Sequence, residues 1–150
     1  SEMRTNYTMM GDTVNLAARL ESSAKHYGVY NFVGENIYEA TKDEFIFRFL
    51  DFVRVKGKKI PVKVYELVSS KENAKNSDIN LIRAFENGLD CYYQQNWEKA
   101  IKYFTESQSM EDTFSSRNTT PSEVYVNRCI MFKDNPPGED WDGVWTMISK

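Results

Sequence analysis

The sequence has few of the residues that hold metal ions or crosslink a chain. It contains one histidine, His26, and two cysteines, Cys91 and Cys129, which stand 38 positions apart and form no Cys-x-x-Cys motif. A structural zinc site needs four ligands, chiefly cysteine and histidine, in closely spaced pairs. The composition therefore excludes an ordinary zinc site and argues against a disulfide scaffold. We expect both cysteines to be reduced, buried thiols.

The sequence also lacks long apolar runs and a marked excess of one charge. No apolar run approaches the ~18 residues of a transmembrane helix, and the first residues show no signal-peptide pattern. The 19 basic and 22 acidic residues give a formal net charge of -3, which argues against nucleic acid binding and against adhesion to an anionic membrane. We expect a cytoplasmic location, with any membrane anchor of a parent protein lying upstream.

The hydrophobic content of 41% and the aromatic content of 14% are ample for a packed core in 150 residues. In the first half, the periodicity predicts a helix over 14–25 and a strand over 29–33. A short amphipathic helix follows over 35–43, with Ile37, Tyr38 and Ala40 expected to face inward. Alternating residues then predict a hairpin of two strands that begin near 45 and 62. This order indicates an α+β fold.

The second half has a different pattern. The polar stretch 69–79 reads as a linker or an exposed helix start, and from residue 80 onward the apolar residues recur with a helical period. We expect helices from Leu81, over 97–110 and over 122–134, followed by a short Trp-rich helix after the Pro-Pro-Gly turn at 136–138. The chain is thus expected to divide into an α+β segment over 1–68 and a helical module over 80–150.

Two motifs in the first half resemble the class III nucleotidyl cyclases, the family of adenylyl and guanylyl cyclases. The segment GDTVNLAARL, residues 11–20, is similar to a family motif, and VKGK, residues 55–58, is similar to the family's hairpin motif. Both stand in the family's order, and VKVYEL follows. The resemblance covers 1–68 and implies the C-terminal part of a bacterial-type catalytic domain, with a partial ferredoxin-like fold of helix, strand, helix and hairpin.

The resemblance also implies roles for four residues. Cyclisation attacks the α-phosphate with the ribose 3'-hydroxyl and expels pyrophosphate, so donors aimed at the phosphate oxygens lower the barrier. Arg19 is implied as the transition-state cation, Asn15 as the residue that orients the ribose, and Lys56 as a ligand of the triphosphate. Thr8 falls where family members select the purine. A threonine there can accept from the adenine amino group, which favours ATP over GTP.

The resemblance places the metal ions outside this chain. Family members bind two ions, usually magnesium or manganese, through two aspartates in the N-terminal part of the domain, and neither segment is present here. We therefore expect a fragment that is inactive alone, with no metal ligand and no bound cofactor, and an intact enzyme that is a homodimer. A guanylyl cyclase, and a catalytically vestigial module that binds a protein partner, remain the alternatives.

The helical tail resembles a tetratricopeptide repeat unit. Gly88, Trp97, Ala100 and Phe104 stand at the spacing of that repeat's small and aromatic positions, although other positions of the repeat differ. Cyclases of bacterial type often end in such a segment, closing with a pattern similar to Arg128-Cys129, Pro136-Pro137 and Trp141-Asp142-Gly143-Val144. The resemblance implies a regulatory or dimer-supporting tail.

Overall fold

A computed structural model describes residues 23–55, 59–112 and 117–147. These ranges contain five helices and a mixed sheet of four strands, in agreement with the expected α+β class. The elements, in chain order, are α1 (described over 23–27), β1 (Phe32–Gly34), α2 (Glu35–Thr41), β2 (Phe45–Val55), β3 (Val62–Ser70), α3 (Asn76–Tyr93), α4 (Trp97–Met110), α5 (Pro121–Asp134) and β4 (Trp145–Met147).

The sheet has the strand order β1-β3-β2-β4. The predicted hairpin is confirmed, because β2 and β3 pair antiparallel, and β1 pairs antiparallel with the other edge of β3. The register of β2 shifts between Phe49 and Asp51. An added residue of this kind breaks the alternation of faces. Consequently two successive side chains, Leu50 and Asp51, are both fully buried.

The three helices predicted for the second half are confirmed. Helix α3 begins at Asn76, so the last residues of the stretch 69–79 form the start of a helix, the second of the two interpretations of that stretch. The side chain of Asn96 caps α4 by accepting from the Lys99 amide, and that of Thr120 caps α5 by accepting from the Glu123 amide. Consecutive helices pack on each other. A Cβ atom at Gly88 would lie 2.6 Å from the Phe104 ring, so this glycine permits the close approach of α3 and α4.

The short Trp-rich helix expected at the end of the chain is wrong. Residues 145–147 instead form β4, which pairs parallel with β2, Val53 opposite Trp145 and Val55 opposite Met147. Gly143 takes a left-handed φ of +77°, which is incompatible with continuing an α-helix. The edge of β2 also offers unpaired backbone groups, which β4 satisfies.

The expected burial of α2 is wrong for two of three residues. Ile37 is 51% exposed and Ala40 is also exposed. Tyr38 is half-buried and stacks on Tyr65 with 4.0 Å between ring centroids. This helix has only seven residues, so one aromatic contact anchors it to the sheet and its other apolar side chains remain in contact with solvent.

One continuous core joins the sheet to the tail. Buried side chains from both halves pack together, namely Tyr27, Val29, Leu50, Val53 and Val64 from the first half and Phe85, Leu89, Cys91, Tyr92, Trp97, Ala100, Phe104, Tyr125 and Cys129 from the second. Both cysteines are free and buried, as expected. Trp141 packs against Tyr92 and Trp97. Over the described ranges, no helix is both long and apolar enough to cross a membrane.

Candidate functional site

The four residues to which the resemblance assigns roles, Thr8, Asn15, Arg19 and Lys56, all lie outside the described residues. Their placement therefore stays a prediction. The structure does describe the chain that directly follows the first motif, residues 23–31. It also describes both ends of the hairpin turn that contains Lys56, up to residue 55 and again from residue 59.

Helix α1 ends at a glycine that no other residue could easily replace. The amide of Gly28 donates to the carbonyl of Lys25 at 3.3 Å, and that of Val29 donates to the carbonyl of Ala24 at 3.1 Å. Gly28 has a φ of +71°, the left-handed conformation that ends many helices. A Cβ atom there would lie 1.9 Å from the carbonyl oxygen of Thr119. The helix end is therefore in direct contact with the segment between α4 and α5.

A buried ionic cluster joins α1, β2 and α5. The Tyr27 hydroxyl donates to Asp51 Oδ2 at 2.5 Å, and Arg128 Nη1 donates to the same oxygen at 2.7 Å. Arg128 Nη2 also donates to the Tyr27 hydroxyl at 3.2 Å. All three side chains are at most 4% exposed. The pairing thus offsets the unfavourable burial of a carboxylate and a guanidinium.

The contacts within this cluster shift the pKa values of Tyr27 and Arg128. Burial, followed by the charge of Asp51, raises the pKa of Tyr27 well above its ordinary value. Burial by itself lowers the pKa of Arg128, but Asp51 and the surrounding tyrosines outweigh it and hold that pKa well above its ordinary value. The guanidinium lies 3.8 Å from the centroid of the Trp145 ring, so it also contacts β4. At neutral pH Tyr27 is therefore a neutral phenol and Arg128 a cation.

A second arginine of the tail binds the end of α1 directly. Arg117 Nε donates to the carbonyl oxygen of Gly28 at 2.7 Å, and Nη1 donates to the carbonyl of Asp112 at 3.0 Å. Its Nη2 lies 3.7 Å from Glu111 Oε1. A cation at this position satisfies a free carbonyl and complements the negative end of the helix dipole.

A third arginine connects the hairpin to the tail. Arg54 Nε donates to the carbonyl of Lys59 at 3.3 Å, across the turn that contains Lys56, and Nη2 donates to Asp142 Oδ2 at 3.0 Å. Asp142 Oδ1 accepts in turn from the Val144 amide at 3.0 Å, just before β4. Both strand pairing and an ion pair therefore attach the C-terminal segment to this hairpin.

Another buried cluster is structural. Arg48 donates to Glu66 Oε1 at 2.6 Å and to Glu111 Oε2 at 2.7 Å, and Ser122 donates to the same Glu111 oxygen at 2.7 Å. Burial by itself raises the pKa of Glu111, but Arg48 and then Ser122 and Arg117 outweigh it, and the net result is a lowered pKa. Arg48 is 1% exposed, so this cluster holds the sheet to the tail rather than meeting a ligand.

Sequence reasoning did not single out Asp51, Arg117, Arg48 or Arg54. One signal was available, since Arg48 stands two positions from both Ile46 and Leu50, the spacing that places side chains on the same face of a regular strand. No local pattern marks Asp51, because its burial follows from the irregular register of β2. Arg128 entered only as part of the closing pattern of the tail.

The described residues form no cluster of metal ligands, and they line an open groove. Among the described residues, no group of three or more His, Cys, Asp or Glu side chains could hold a metal ion. An open groove of about 460 Å³ lies between α2, the start of β2 and α3. Its lining includes Tyr38, Phe47 and Arg83.

Comparisons with known proteins point to the adenylate cyclases. The chain is 32% identical over 134 residues to "Adenylate cyclase, terminal-differentiation specific" of Dictyostelium discoideum, a match that covers 87% of this chain and 6% of that protein. It is 40% identical over 65 residues to "Adenylate cyclase 1" of Rhizobium meliloti, covering 43% of this chain and 10% of that protein. No protein-family model matches the chain. No solved structure matches it either.

These similarities support a relationship between this chain and the adenylate cyclases. The chain spans only a small part of each relative. Because the first match covers 87% of the chain, it must extend beyond residue 68 and well into the helical tail. The tail is thus part of what this chain shares with that cyclase.

Proposed function

We propose that this chain is the C-terminal part of a class III adenylyl cyclase catalytic domain together with its helical tail. In the intact enzyme it would help to convert ATP into 3',5'-cyclic AMP and pyrophosphate. The observation that carries the proposal is the 32% identity over 134 residues to a protein named as an adenylate cyclase. The motifs GDTVNLAARL and VKGK add to it, because they contain the residue types that this reaction needs.

The proposed roles follow from the charge that develops during cyclisation. Arg19 presents a planar cation with several donors, which suits the phosphate oxygens as pyrophosphate departs. Asn15 stands four residues earlier, on the same face of the predicted helix, and would orient the ribose for attack. Lys56 would bind the triphosphate in the ground state, and Thr8 would accept a hydrogen bond from the adenine amino group.

The metal ions belong to the part of the enzyme that this chain does not include. Magnesium or manganese, when bound, supplies positive charge that activates the attacking hydroxyl and stabilises the phosphates. The described residues provide no group that could hold such an ion, so we derive no step through a metal from this chain. We propose that the two aspartates lie in the N-terminal part of the domain, and that the intact enzyme is a homodimer.

The test is a cyclase assay on the intact enzyme, defined as a polypeptide that contains this chain and the complete catalytic domain. Cyclic AMP and cyclic GMP would be measured from ATP and GTP with magnesium or manganese. We expect cyclic AMP, and we expect Arg19→Ala to lower kcat by about 100-fold or more, as for other transition-state donors. Arg83→Ala is the matched control, since Arg83 is exposed and forms no ion pair with another described residue.

Other results would decide for an alternative. Production of cyclic GMP in preference to cyclic AMP would make the protein a guanylyl cyclase and remove the role of Thr8. Absence of any cyclase activity in the folded dimer would favour a vestigial module. An active Arg19→Ala variant would remove Arg19 from the mechanism.

A further inference from the structure

We propose that the open groove between α2, the start of β2 and α3 is a docking site for an amphipathic segment of a protein partner, one that carries carboxylates beside its apolar residues. The lining residues that support this inference all belong to the described part of the chain. The inference does not depend on the proposed cyclase activity, because it rests on the contacts and charges of these residues alone.

The groove presents apolar side chains to solvent. Tyr38 of α2 lies edge-on to Phe47 of β2, with 5.1 Å between ring centroids. On the opposite side, Ile79 of α3 is 42% exposed and Ile82, almost one turn later, is half-buried. Together with their neighbours these side chains line a volume of about 460 Å³. Adjacent apolar side chains that remain in contact with water gain free energy when a partner covers them.

Ordered elements hold the groove in shape. Stacking of Tyr38 on Tyr65 anchors α2 to the sheet. The amide of Lys71 donates to the carbonyl of Glu44 at 3.0 Å, which joins the end of β3 to the start of β2. On α3, the buried side chain of Phe85 packs in the core. A site that is formed before binding loses little conformational entropy when a partner docks.

The charged side chains of the groove are mostly cations. Lys42, Lys71 and Arg83 contribute to its lining, and Glu86 is the one carboxylate among the described lining residues. Lys42 is paired with Glu39 at 2.8 Å, whereas Lys71 and Arg83 form no ion pair with another described residue. The chain as a whole has a net charge of -3, so the groove differs in sign from the rest. Cations without partners beside apolar side chains complement a segment that carries carboxylates.

An amphipathic helical segment matches both features of the groove. Such a segment presents apolar anchors at positions i, i+3, i+4 and i+7, and the flanks of this stripe are free for charged residues. A small organic anion matches them less well, because sites for small molecules enclose most of the ligand surface, whereas this groove is open to solvent. The occupant is therefore a segment of a protein.

The test selects peptides of about 12 residues, roughly three helical turns, from a displayed library of random sequences on the intact enzyme. Counter-selection uses the double variant Lys71→Glu with Ile79→Asp. We expect the enriched peptides to combine apolar residues at helical spacing with Asp or Glu. Fluorescence anisotropy of a labelled selected peptide then gives its Kd. Lys71→Gln should weaken binding about threefold, and Ile79→Ala about tenfold.

Two further variants separate the effect of charge from general damage. Glu86→Gln removes the carboxylate of the lining, so it should tighten binding about twofold. Lys102→Gln changes an exposed lysine of α4 outside this groove and should leave Kd unchanged. Added salt should weaken binding to the wild-type enzyme, because it screens exposed charges. Circular dichroism and urea unfolding should show that every variant, including the double variant, is folded.

Several outcomes would overturn the inference. They are the absence of enriched peptides that distinguish the wild-type enzyme from the double variant, enriched peptides that are basic or uncharged, and an unchanged Kd in Lys71→Gln and Glu86→Gln. Sedimentation tests another occupant, since self-association that Ile79→Ala abolishes would assign the groove to a second copy of the chain. None of these results bears on the proposed function, which the measurement of cyclic AMP decides separately.

Discussion

The buried ion pair between Arg128 and Asp51 should contribute strongly to stability, and a double-mutant cycle measures how much. Arg128→Met removes the cation and leaves the fully buried Asp51 carboxylate with only the Tyr27 hydroxyl as a donor. Removing one partner of a buried pair costs about 3–5 kcal/mol, mainly because the other charge is left uncompensated. Lost contact with the Trp145 ring adds to this loss.

The double variant separates the pair from its surroundings. Asp51→Asn should destabilise the protein by a similar amount, because Arg128 then remains charged and buried. In the combination Arg128→Met with Asp51→Asn, neither charge is left alone, so the total loss should be smaller than the sum of the single losses by about 2 kcal/mol or more. The remaining stability should still be measurable, since domains have about 5–15 kcal/mol.

The assay is urea unfolding of the four proteins, followed by circular dichroism and compared at equal m values. Lys42→Met is a control, because its ion pair with Glu39 is about half exposed and should change the unfolding midpoint little. If the two single losses add to within about 0.5 kcal/mol in the double variant, the pair has no coupling energy. The ionic cluster would then not be what holds α5 to β2.

Three further predictions concern the same fold. Gly28→Ala should destabilise the protein by more than about 1 kcal/mol in the same unfolding assay. Gly138 also has a left-handed φ, but a Cβ atom there would lie 3.5 Å from its nearest neighbour, so Gly138→Ala should cost less. Equal losses would show that the contact between Gly28 and the tail is not a close one. Because the folded state lowers the pKa of Glu111 below 4.5, its contribution is complete above that pH and is lost as the pH falls further. Urea midpoints between pH 7 and 3 should therefore decline less steeply in Glu111→Gln, and an unchanged slope would contradict this. Both free cysteines are buried, and burial raises the pKa of Cys129 to about 12. A thiol reagent should therefore react with them only after unfolding. Rapid reaction of the native protein would count against this packing.

Much of the secondary structure could be predicted from the sequence, because local patterns carry it. The strands of the hairpin alternate apolar residues with a period of two, and the three tail helices repeat them with a helical period. The mistakes occur where the pattern is short. Residues 145–147 look like a helix next to Trp141, but they form a strand because β2 has a free edge. Ile37 looks buried, but α2 is too short to cover a face.

The residues of the candidate site were predicted from a resemblance to known motifs and not from the periodicity of apolar residues. Thr8, Asn15, Arg19 and Lys56 were identified by resemblance, and their roles stay predictions because the structure does not describe them. The residues that join the tail to the first half could not be found in this manner. Asp51, Arg117 and Arg54 stand in unremarkable local contexts, and each acquires its partners from segments that are 77, 89 and 88 positions away.

The sequence by itself determined the α+β class, the order of most elements and the likeness to nucleotidyl cyclases, because these depend on neighbouring residues and short motifs. Only the tertiary structure decided that the tail is joined to the first half by one core, by four arginines and by a strand that pairs with β2. Such contacts depend on which distant surfaces meet when apolar area is buried. No local pattern in the chain records that choice.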